Sequence, residues 1–215
     1  NKNLLKINNK SLIEHAIESS IRNKYISKTF FSSDSKKYLR IAKKAGCKNL
    51  ILREPRYSRD KTNDLDMFKD FIKYLDKSYE YLPEFIIHLR PTTPLRKNSI
   101  LNKGIFEFLK IKNLYSSLRS VVQMSNPSFK TFTIKKNKLC SLIGGDFNLD
   151  KYNLPKEHFE KTYMPNGYID IIKTKNIYKS FLHGNKVKSF IVNEFNSDID
   201  DKRDYLKVKK HAEKK

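Results

Sequence analysis

The first half of the sequence alternates amphipathic segments of helical period with short apolar runs. Helical segments are predicted to begin near Ser11, Ser35, Thr62 and Ser99, and Ser11 with Glu14 forms a capping box. Between them lie the runs "TFFSS", "NLILR" and "FIIHL", which are typical of buried strands. Strands that alternate with helices are joined by right-handed crossovers and form a parallel sheet. The pattern therefore predicts an α/β fold with a mostly parallel sheet and helices on both faces.

The alternation of helices and strands stops at Ser117. Strand-like segments then follow one another without helices, and a polar, irregular stretch separates them from the apolar run "GYIDIIK". We expect this region to extend the sheet and to send out a protruding segment of about residues 125–165. A chain of 215 residues suits one sizeable core, so residues 1–215 are interpreted as a single domain.

The charge and cysteine content limits the classes of partner. The 45 lysine and arginine residues exceed the 23 acidic residues by 22, which would suit a nucleic acid or an acidic surface. The basic residues are spread along the whole chain without a nucleic-acid-binding signature, so we interpret most of them as solvated surface.

Cys47 and Cys140 lack metal-ligand spacing and fit free thiols in a reducing cytoplasm. No apolar run approaches the roughly 20 residues of a membrane span.

The stretch "HLRPTTPLR" ends the strand "FIIHL" abruptly. Pro91 and Pro94 cannot donate ladder hydrogen bonds, so the chain must leave the sheet here. Thr92, Thr93 and Arg96 then offer hydroxyls and a guanidinium at the carboxyl end of a strand, where open α/β sheets bind ligands. The sequence predicts an anionic ligand on this loop. The alternative is a polar strand exit with its arginines in solvent.

Two further stretches place candidate ligand groups beside strands. In "LREPRYSRD", Arg53, Arg56, Arg59 and Asp60 follow a strand, and arginine forks suit phosphate or the edge of a base. A solvated run of charges is the alternative. In "YMPNGYIDIIK", Asn166 and Gly167 precede a strand, where glycine permits either the close approach of a ligand or a tight turn.

Asp198 and Asp200 lie two residues apart in "SDIDD", just before the last predicted helix. In an extended segment both carboxylates point the same way, and paired oxygens suit Mg²⁺, which also takes phosphate oxygens and water. The alternative is a helix start, where aspartate caps the first turn.

Taken in order, these motifs resemble those of the acylneuraminate cytidylyltransferases, also called CMP-sialic acid synthetases. The similarity runs through "KNLLKINNKSLIEHAIESS", "FFSSD", "LREPRYSRD", "LRPTTPLR", "YMPNGYIDI" and "SDID", over nearly the whole chain. The resemblance implies a Rossmann-like nucleotidyltransferase fold, usually dimeric. It also implies transfer of CMP from CTP to the anomeric hydroxyl of a nonulosonic (sialic-type) acid, a nine-carbon keto-sugar acid, with release of pyrophosphate. Mg²⁺ is the implied cofactor. The expected setting is the cytoplasm, in lipopolysaccharide or capsule biosynthesis.

The resemblance also implies roles for individual residues. Those expected to act in catalysis are Lys2, Asp198 and Asp200, of which the two aspartates bind the metal. Those expected to bind the nucleotide are Asn3, Arg53 and Asp60. Those expected to bind the acceptor sugar are Arg90, Thr92, Arg96, Asn166 and Gly167.

Two departures from the family pattern leave alternatives open. Arg90 stands where the family commonly has glutamine, so an arginine there could pair with the acceptor carboxylate, and another sugar acid such as an octulosonate is an alternative substrate. The first strand and the phosphate loop that should precede Lys2 are missing from the sequence, so the domain is interpreted as lacking them and its turnover is expected to be poor. A basic nucleic-acid-binding module is the alternative from a different class of protein.

Overall fold

Helices and short strands follow one another along the chain in a computed structural model, which describes residues 2–57, 63–80, 82–142, 147–195 and 198–214. The helices are α1 (Leu12–Ile21), α2 (Lys36–Lys44), α3 (Asp64–Ser78), α4 (Asn98–Ile111), α5 (Leu149–Tyr152), α6 (Thr174–Tyr178) and α7 (Lys202–Glu213). The strands are β1 (Lys6–Ile7), β2 (Lys10–Ser11), β3 (Phe30–Ser33), β4 (Asn49–Leu52), β5 (Phe85–His88), β6 (Ser117–Gln123), β7 (Phe132–Lys135), β8 (Lys138–Ser141), β9 (Tyr163–Lys173) and β10 (Val187–Ile191). Within the described ranges, no helix has both the length and the apolar character needed to cross a membrane.

The starts of α1 and α3 show how local sequence sets the helix boundaries. The predicted capping box is present, because Ser11 accepts from the Glu14 N–H at 3.3 Å while Glu14 Oε2 accepts from the Ser11 N–H at 2.7 Å. At α3 the side chain of Asn63 accepts from the Asp66 N–H at 2.9 Å. Asparagine is among the preferred N-cap residues, so Asn63 takes the role predicted for Thr62, which lies outside the described residues.

The main sheet has four strands in the order β10-β6-β9-β5. β10 is parallel to β6, whereas β9 is antiparallel to both of its neighbours, so β5, β6 and β10 all point the same way. A separate parallel pair is formed by β3 and β4. The predicted α/β class is confirmed, with a mixed sheet in which β9 runs against the other three strands. β9 is antiparallel to β6 because the chain leaves the sheet at the carboxyl end of β6 and returns at that same end.

Helices cover both faces of this sheet, as predicted. Ile171 and Ile172 are successive residues of β9 and therefore point to opposite faces. Ile171 packs in a cluster with Phe108 of α4, and Ile172 packs in a second cluster with Phe68 of α3. Both isoleucines are at most 2% exposed, so the sheet is buried between two helical layers.

The segment between β6 and β9 corresponds to the predicted protrusion. It contains the β7–β8 hairpin and α5, held by edge-to-face contacts of Phe132 with Phe147 and Tyr152. None of the buried core clusters found in the described residues includes a residue between 125 and 165. We call this segment, residues 125–162, the arm.

A matched pair of phenylalanines on α4 tests the assignment of the core. Phe108 is fully buried, whereas Phe106 is 46% exposed. We expect Phe108→Ala to lower the free energy of unfolding by about 3–5 kcal/mol, because it removes a core ring and leaves a cavity. Phe106→Ala should cost only about 0.5–1 kcal/mol, chiefly through its contact with Lys110. Urea unfolding measures both, and equal losses would contradict the assigned packing.

Candidate active site

Arg96 ties the loop after β5 to the middle of β9. It is 9% exposed, and its guanidinium donates hydrogen bonds only to backbone carbonyls in the described structure. Nε donates to Tyr168 O at 2.6 Å, Nη1 to Thr93 O, and Nη2 to Arg90 O at 2.8 Å and to Gly167 O at 2.9 Å. Binding of an anionic ligand by Arg96 stays a prediction. Its donors are used to hold two segments of backbone together.

The pKa of Arg96 is compatible with a role as hydrogen-bond donor. Burial lowers the pKa of its guanidinium to about 9, against the opposing influence of Tyr168, Asp198 and Asp170. The side chain is thus still protonated at neutral pH, and a protonated fork is what four carbonyl acceptors require.

Gly167 brings three of the predicted motifs together. Its φ of +66° lies in the left-handed region, and a Cβ there would be 2.7 Å from Thr93 Oγ1 and 3.6 Å from Asp198 Oδ2. Only glycine permits this approach without strain. Asn166 Oδ1 accepts from the Tyr168 N–H at 3.2 Å. The Asn-Gly pair lies inside β9, where the register with β6 shifts, and it packs against the proline loop and Asp198, so the prediction that the pair precedes the strand is wrong.

Asp198 and Asp200 flank a buried residue. Ile199 is fully buried, and its N–H donates to Thr92 O at 2.9 Å, which attaches the segment to the proline loop. The two carboxylates differ in exposure, because Asp198 is partly buried beside Gly167 whereas the Asp200 side chain is 72% exposed. Asp200 Oδ1 accepts from Lys2 Nζ at 2.8 Å. The structure thus brings Lys2, Thr92, Asp198 and Asp200 to one edge, together with Gly167.

The N-cap of α7 is Asp201, and not Asp198 or Asp200. Asp201 Oδ1 accepts from the N–H groups of Arg203 and Asp204 at 2.7 and 2.9 Å, and the bond from Asp204 is the main reason that the pKa of Asp201 is lowered. Asp198 and Asp200 are therefore not needed as caps. The carboxylates of Asp198 and Asp200 offer hard oxygen donors, which fit Mg²⁺ when phosphate oxygens and water complete its coordination shell. No cluster of three His, Cys, Asp or Glu side chains that could hold a metal occurs in the residues described.

Arg90 lies between two carboxylates of the protein. Nη1 donates to Asp170 Oδ2 at 2.8 Å and Nη2 to Asp64 Oδ2 at 2.6 Å. Burial acts to lower the pKa of Arg90, but its bonds to Asp170 and Asp64 outweigh burial and raise that pKa. The Asp170 side chain is 3% exposed and that of Asp64 49%. An acceptor carboxylate could reach Arg90 only by exchanging with Asp64, so sugar binding by Arg90 stays a prediction.

Asp170 and Asp64 are site residues that the sequence reasoning missed. The signal for Asp170 was a single acidic residue inside the apolar run "YIDIIK", which calls for a buried cationic partner. Asp64 had no such signal, because an acidic first turn of a helix is common.

The two predicted nucleotide-binding residues that the structure describes share a cavity. Asn3 and Arg53 both line a space of about 600 Å³, whose polar end also includes Ser33, Asp34 and His88. The Arg53 N–H donates to Ser33 O at 2.9 Å, which fixes the backbone after β4 to the end of β3. Asp60, the third predicted nucleotide-binding residue, lies outside the described residues.

Comparison with known proteins identifies the family. A family model described as "Cytidylyltransferase" matches residues 1–140, which is more than half of the chain. The chain belongs to the cytidylyltransferase family. The resemblance seen in the motifs is thereby confirmed, although the curated relatives are distant.

Two curated relatives illustrate the distance. An Escherichia coli N-acylneuraminate cytidylyltransferase is 26% identical over 207 residues, which are 95% of this chain but 46% of that protein. A Campylobacter jejuni CMP-N,N'-diacetyllegionaminic acid synthase is 25% identical over 95% of this chain and 85% of its own. The chain thus spans less than half the length of the E. coli relative.

A solved structure supports the family fold. A CMP:2-keto-3-deoxy-manno-octonic acid synthetase in complex with CTP superimposes with a TM-score of 0.69 at 14% identity, over 99% of this chain and 92% of that one. At this identity the likeness concerns the fold alone. It agrees with a nucleotidyltransferase sheet covered by helices on both faces.

The role of Arg96 can be tested by Arg96→Lys. A lysine keeps the charge but cannot direct donors at four carbonyls, and each buried acceptor left unpaired costs about 1–3 kcal/mol. We expect the free energy of unfolding to fall by about 3 kcal/mol or more in urea. The control is Arg22→Lys on the surface of α1, which should change stability by less than about 0.5 kcal/mol. Similar values for both variants would contradict the assigned role.

His88 predicts a pH dependence of stability. Burial, assisted by repulsion from Arg90, lowers the pKa of His88 to about 4, so its ring is neutral in the folded protein. The unfolded chain takes up this proton near pH 6.5. The contribution of His88 to the free energy of unfolding is therefore fully present above pH 6.5. Between pH 6.5 and pH 4 it falls by up to about 1.4 kcal/mol for each unit by which the pH decreases.

The measurement is urea unfolding between pH 4 and 7, run on wild type, His88→Gln and His158→Gln. His88→Gln should flatten the pH profile. His158 is exposed on the arm, so the His158→Gln profile should keep the wild-type slope. A wild-type slope in His88→Gln would show that other groups cause it.

Proposed function

We propose that the chain transfers CMP from CTP to the anomeric hydroxyl of a nonulosonic acid and releases pyrophosphate. Family membership supports cytidylyl transfer, and the names of the two curated relatives support sialic-type acceptors. The observation that carries the proposal is the meeting of Thr93, Gly167 and Asp198 at the carboxyl edge of β5, where α/β sheets bind ligands.

The proposed reaction is an in-line displacement at the α-phosphate of CTP. The anomeric hydroxyl loses its proton as its oxygen forms a bond to that phosphorus, and the bond to the pyrophosphate oxygen breaks, so that pyrophosphate leaves with the electron pair. Such catalysis depends on positioning and on charge neutralisation. Asp198 and Asp200 would hold Mg²⁺, which supplies neutralisation of the phosphate charge when bound. Lys2, which already contacts Asp200, would add its ammonium group next to the phosphates.

Substrate positions follow from the two sides of the site. Asn3 and Arg53 would bind the nucleotide at the polar end of the 600 Å³ cavity, together with Asp60. Asn166, Gly167 and the Thr92 segment would face the acceptor sugar. Arg90 would bind the acceptor carboxylate in place of Asp64, while Asp170 keeps its orientation.

The assembly and setting form a further part of the proposal. The arm exposes apolar side chains, with Ile134 at 74% and Leu142 at 57%, and such a surface supports a homodimer formed through the arm. The proposed setting is the cytoplasm, in a pathway that builds lipopolysaccharide or capsule. Size-exclusion chromatography with light scattering tests the dimer, and Ile134→Glu should then shift it to monomer.

An octulosonate is the alternative acceptor. The fold likeness to the octonic acid synthetase favours it, although the likeness in sequence is low. The deciding experiment measures pyrophosphate release from CTP by the full-length natural protein with sialic, legionaminic, pseudaminic and octulosonic acids. Turnover with a nine-carbon acid alone supports the proposal, whereas turnover with the octulosonate alone contradicts it.

Nucleic-acid binding remains the alternative from another class. Neutralisation of many phosphates makes binding weaken steeply with salt. A mobility shift with DNA or RNA that is steeply salt-dependent, in a protein without pyrophosphate release, would replace the enzymatic proposal.

Three neighbouring aspartates offer a matched test of the metal site. Asp198→Asn and Asp200→Asn keep shape but remove a charge, so we expect the melting temperature to persist while turnover falls at least about 100-fold. Asp201→Asn is the control, because asparagine caps a helix as well as aspartate does. Its turnover should stay within about twofold of wild type. Unchanged turnover and Mg²⁺ dependence in both test variants would remove the metal role from these residues.

A further inference from the structure

A row of ionisable side chains crosses the main sheet on the face that α3 covers. His88 of β5 and Arg119 of β6 both lie directly opposite Asp170 of β9, one on each side, so the three side chains point to the same face. Ile172, two residues further along β9, points to this face as well and packs with α3. The row therefore continues the surface under α3, with ionisable groups in place of apolar ones.

Asp170 holds two arginines, one at each carboxylate oxygen. Arg90 Nη1 donates to Oδ2 at 2.8 Å, and Arg119 Nε lies 3.7 Å from Oδ1. The Asp170 side chain is 3% exposed, and one arginine is enough to neutralise a buried carboxylate. The second arginine therefore leaves a positive charge beside this group. Asp64 supplies the balancing charge, because its Oδ2 accepts from Arg90 Nη2 at 2.6 Å.

Arg119 has hydrogen-bond donors left over. Its side chain is 34% exposed, its Nε makes no hydrogen bond within the described residues, and its Nη1 lies 3.3 Å from His183 Nε2. An arginine cannot accept, so His183 Nε2 is the unprotonated nitrogen of a neutral ring. Burial lowers the pKa of His183, which keeps the ring neutral at neutral pH. The histidine thus orients the guanidinium without adding charge, and most of the N–H donors of Arg119 remain for a ligand or for water.

A carboxylate of the protein already occupies the solvent side of Arg90. Asp64 reaches it from the first turn of α3, and the Asp64 side chain is 49% exposed. An exposed ion pair contributes little to stability, so a ligand can replace it at small cost. Charge balance then selects the ligand, since Arg90, Arg119 and Asp170 together carry one positive charge. A carboxylate with one negative charge restores neutrality as Asp64 does, whereas a phosphate with two charges leaves a negative excess.

We propose that Arg119 is a second residue that binds the acceptor, and that it forms with Arg90 a two-arginine site for the carboxylate of the sugar acid. Asp170 is the positioning residue that holds both guanidinium groups, and Asp64 occupies the site in the absence of the acceptor. The identity of the ligand rests on the function proposed above. The presence of a carboxylate site rests only on the contacts of these four side chains.

The location of the two-arginine site suits the proposed transfer. Arg96 Nη2 donates to Arg90 O at 2.8 Å and to Gly167 O at 2.9 Å, so the backbone of Arg90 is next to Gly167. A Cβ on Gly167 would in turn lie 3.6 Å from Asp198 Oδ2. In the ring form of a 2-keto sugar acid, the carboxylate and the anomeric hydroxyl are attached to the same carbon. A carboxylate held by Arg90 and Arg119 therefore limits where the attacking oxygen can lie.

The experiment measures binding of sialic, legionaminic, pseudaminic and octulosonic acids, each as the free acid and as its methyl ester, which lacks the carboxylate charge. The full-length natural protein is titrated calorimetrically with Mg²⁺ and a CTP analogue that has a methylene group between the α and β phosphorus atoms and so prevents turnover. In wild type at least one acid should bind about 10- to 100-fold more tightly than its ester. Equal binding of acid and ester, or binding of neither form, would overturn the proposal.

Two substitutions in the cluster should act in opposite directions. Arg119→Gln should weaken binding of the acid about 10-fold or more and leave the ester unchanged, because it removes a charged donor but no contact to the rest of the sugar. Asp64→Asn should strengthen binding of the acid about two- to fivefold, since it removes the competing carboxylate. The matched controls are Arg40→Gln on the exposed surface of α2 and Asp66→Asn in the same turn as Asp64, and both should keep wild-type binding.

The outcomes separate this inference from the proposed function. A wild-type KM for the acid in an Arg119→Gln enzyme that releases pyrophosphate would rule out the two-arginine site and leave the function intact. Binding that depends on the carboxylate, without pyrophosphate release from any acid, would contradict the function and leave the site. If Arg119→Gln has no cooperative melting, the titration of Asp64→Asn decides. Stronger binding of the acid then supports the site, and unchanged or weaker binding refutes it.

Discussion

The guanidinium of Arg96 is the contact on which the candidate site depends. Its donors reach carbonyls of the loop after β5 and of Gly167 and Tyr168 within β9, two segments more than 70 residues apart in the sequence. Once these backbones are fixed, Gly167 lies against Thr93, and the Thr92 carbonyl can accept from Ile199. The position of Asp198 is a consequence of this chain of backbone contacts. A planar guanidinium is suited to such a role because the directions of its donors are fixed by covalent geometry.

The carboxylates of the site differ in burial: one is buried with its cationic partners, and two are exposed, so that a ligand could replace their partners. Asp170 is buried and contacts Arg90, with Arg119 Nε 3.7 Å from its other oxygen, so this charge is compensated inside the protein. Removing a partner from such a group costs much more than removing an exposed one. Asp64 and Asp200 have side chains 49% and 72% exposed, so their partners can be exchanged for a ligand at small cost. Substrate groups are therefore expected to displace contacts at these two carboxylates and to leave Asp170 unchanged.

Local pattern was sufficient to predict the class of fold but not the roles of individual side chains. The alternation of helical and apolar segments predicted the α/β class, and the Ser11 capping box set the start of α1. The proline loop and the arginines after predicted strands were identified as candidate ligand groups from the sequence, and the family resemblance implied that they share one site with Asn-Gly and the aspartates. The role of Arg96 could not be predicted, because its acceptors are carbonyls that only tertiary structure brings near. The same holds for Asp64, whose partner Arg90 comes from another element.

The two halves of the site belong to different sheets. Arg53 follows β4 in the two-stranded sheet, whereas the proline loop, the Asn-Gly turn and Asp198 are attached to β5 and β9 in the other. Their relative position is therefore set by the packing of α1 and α3 on the two faces of β3. In-line transfer requires the attacking oxygen and the phosphate to be aligned, and a misplacement of about 1 Å can cost roughly 100-fold in rate.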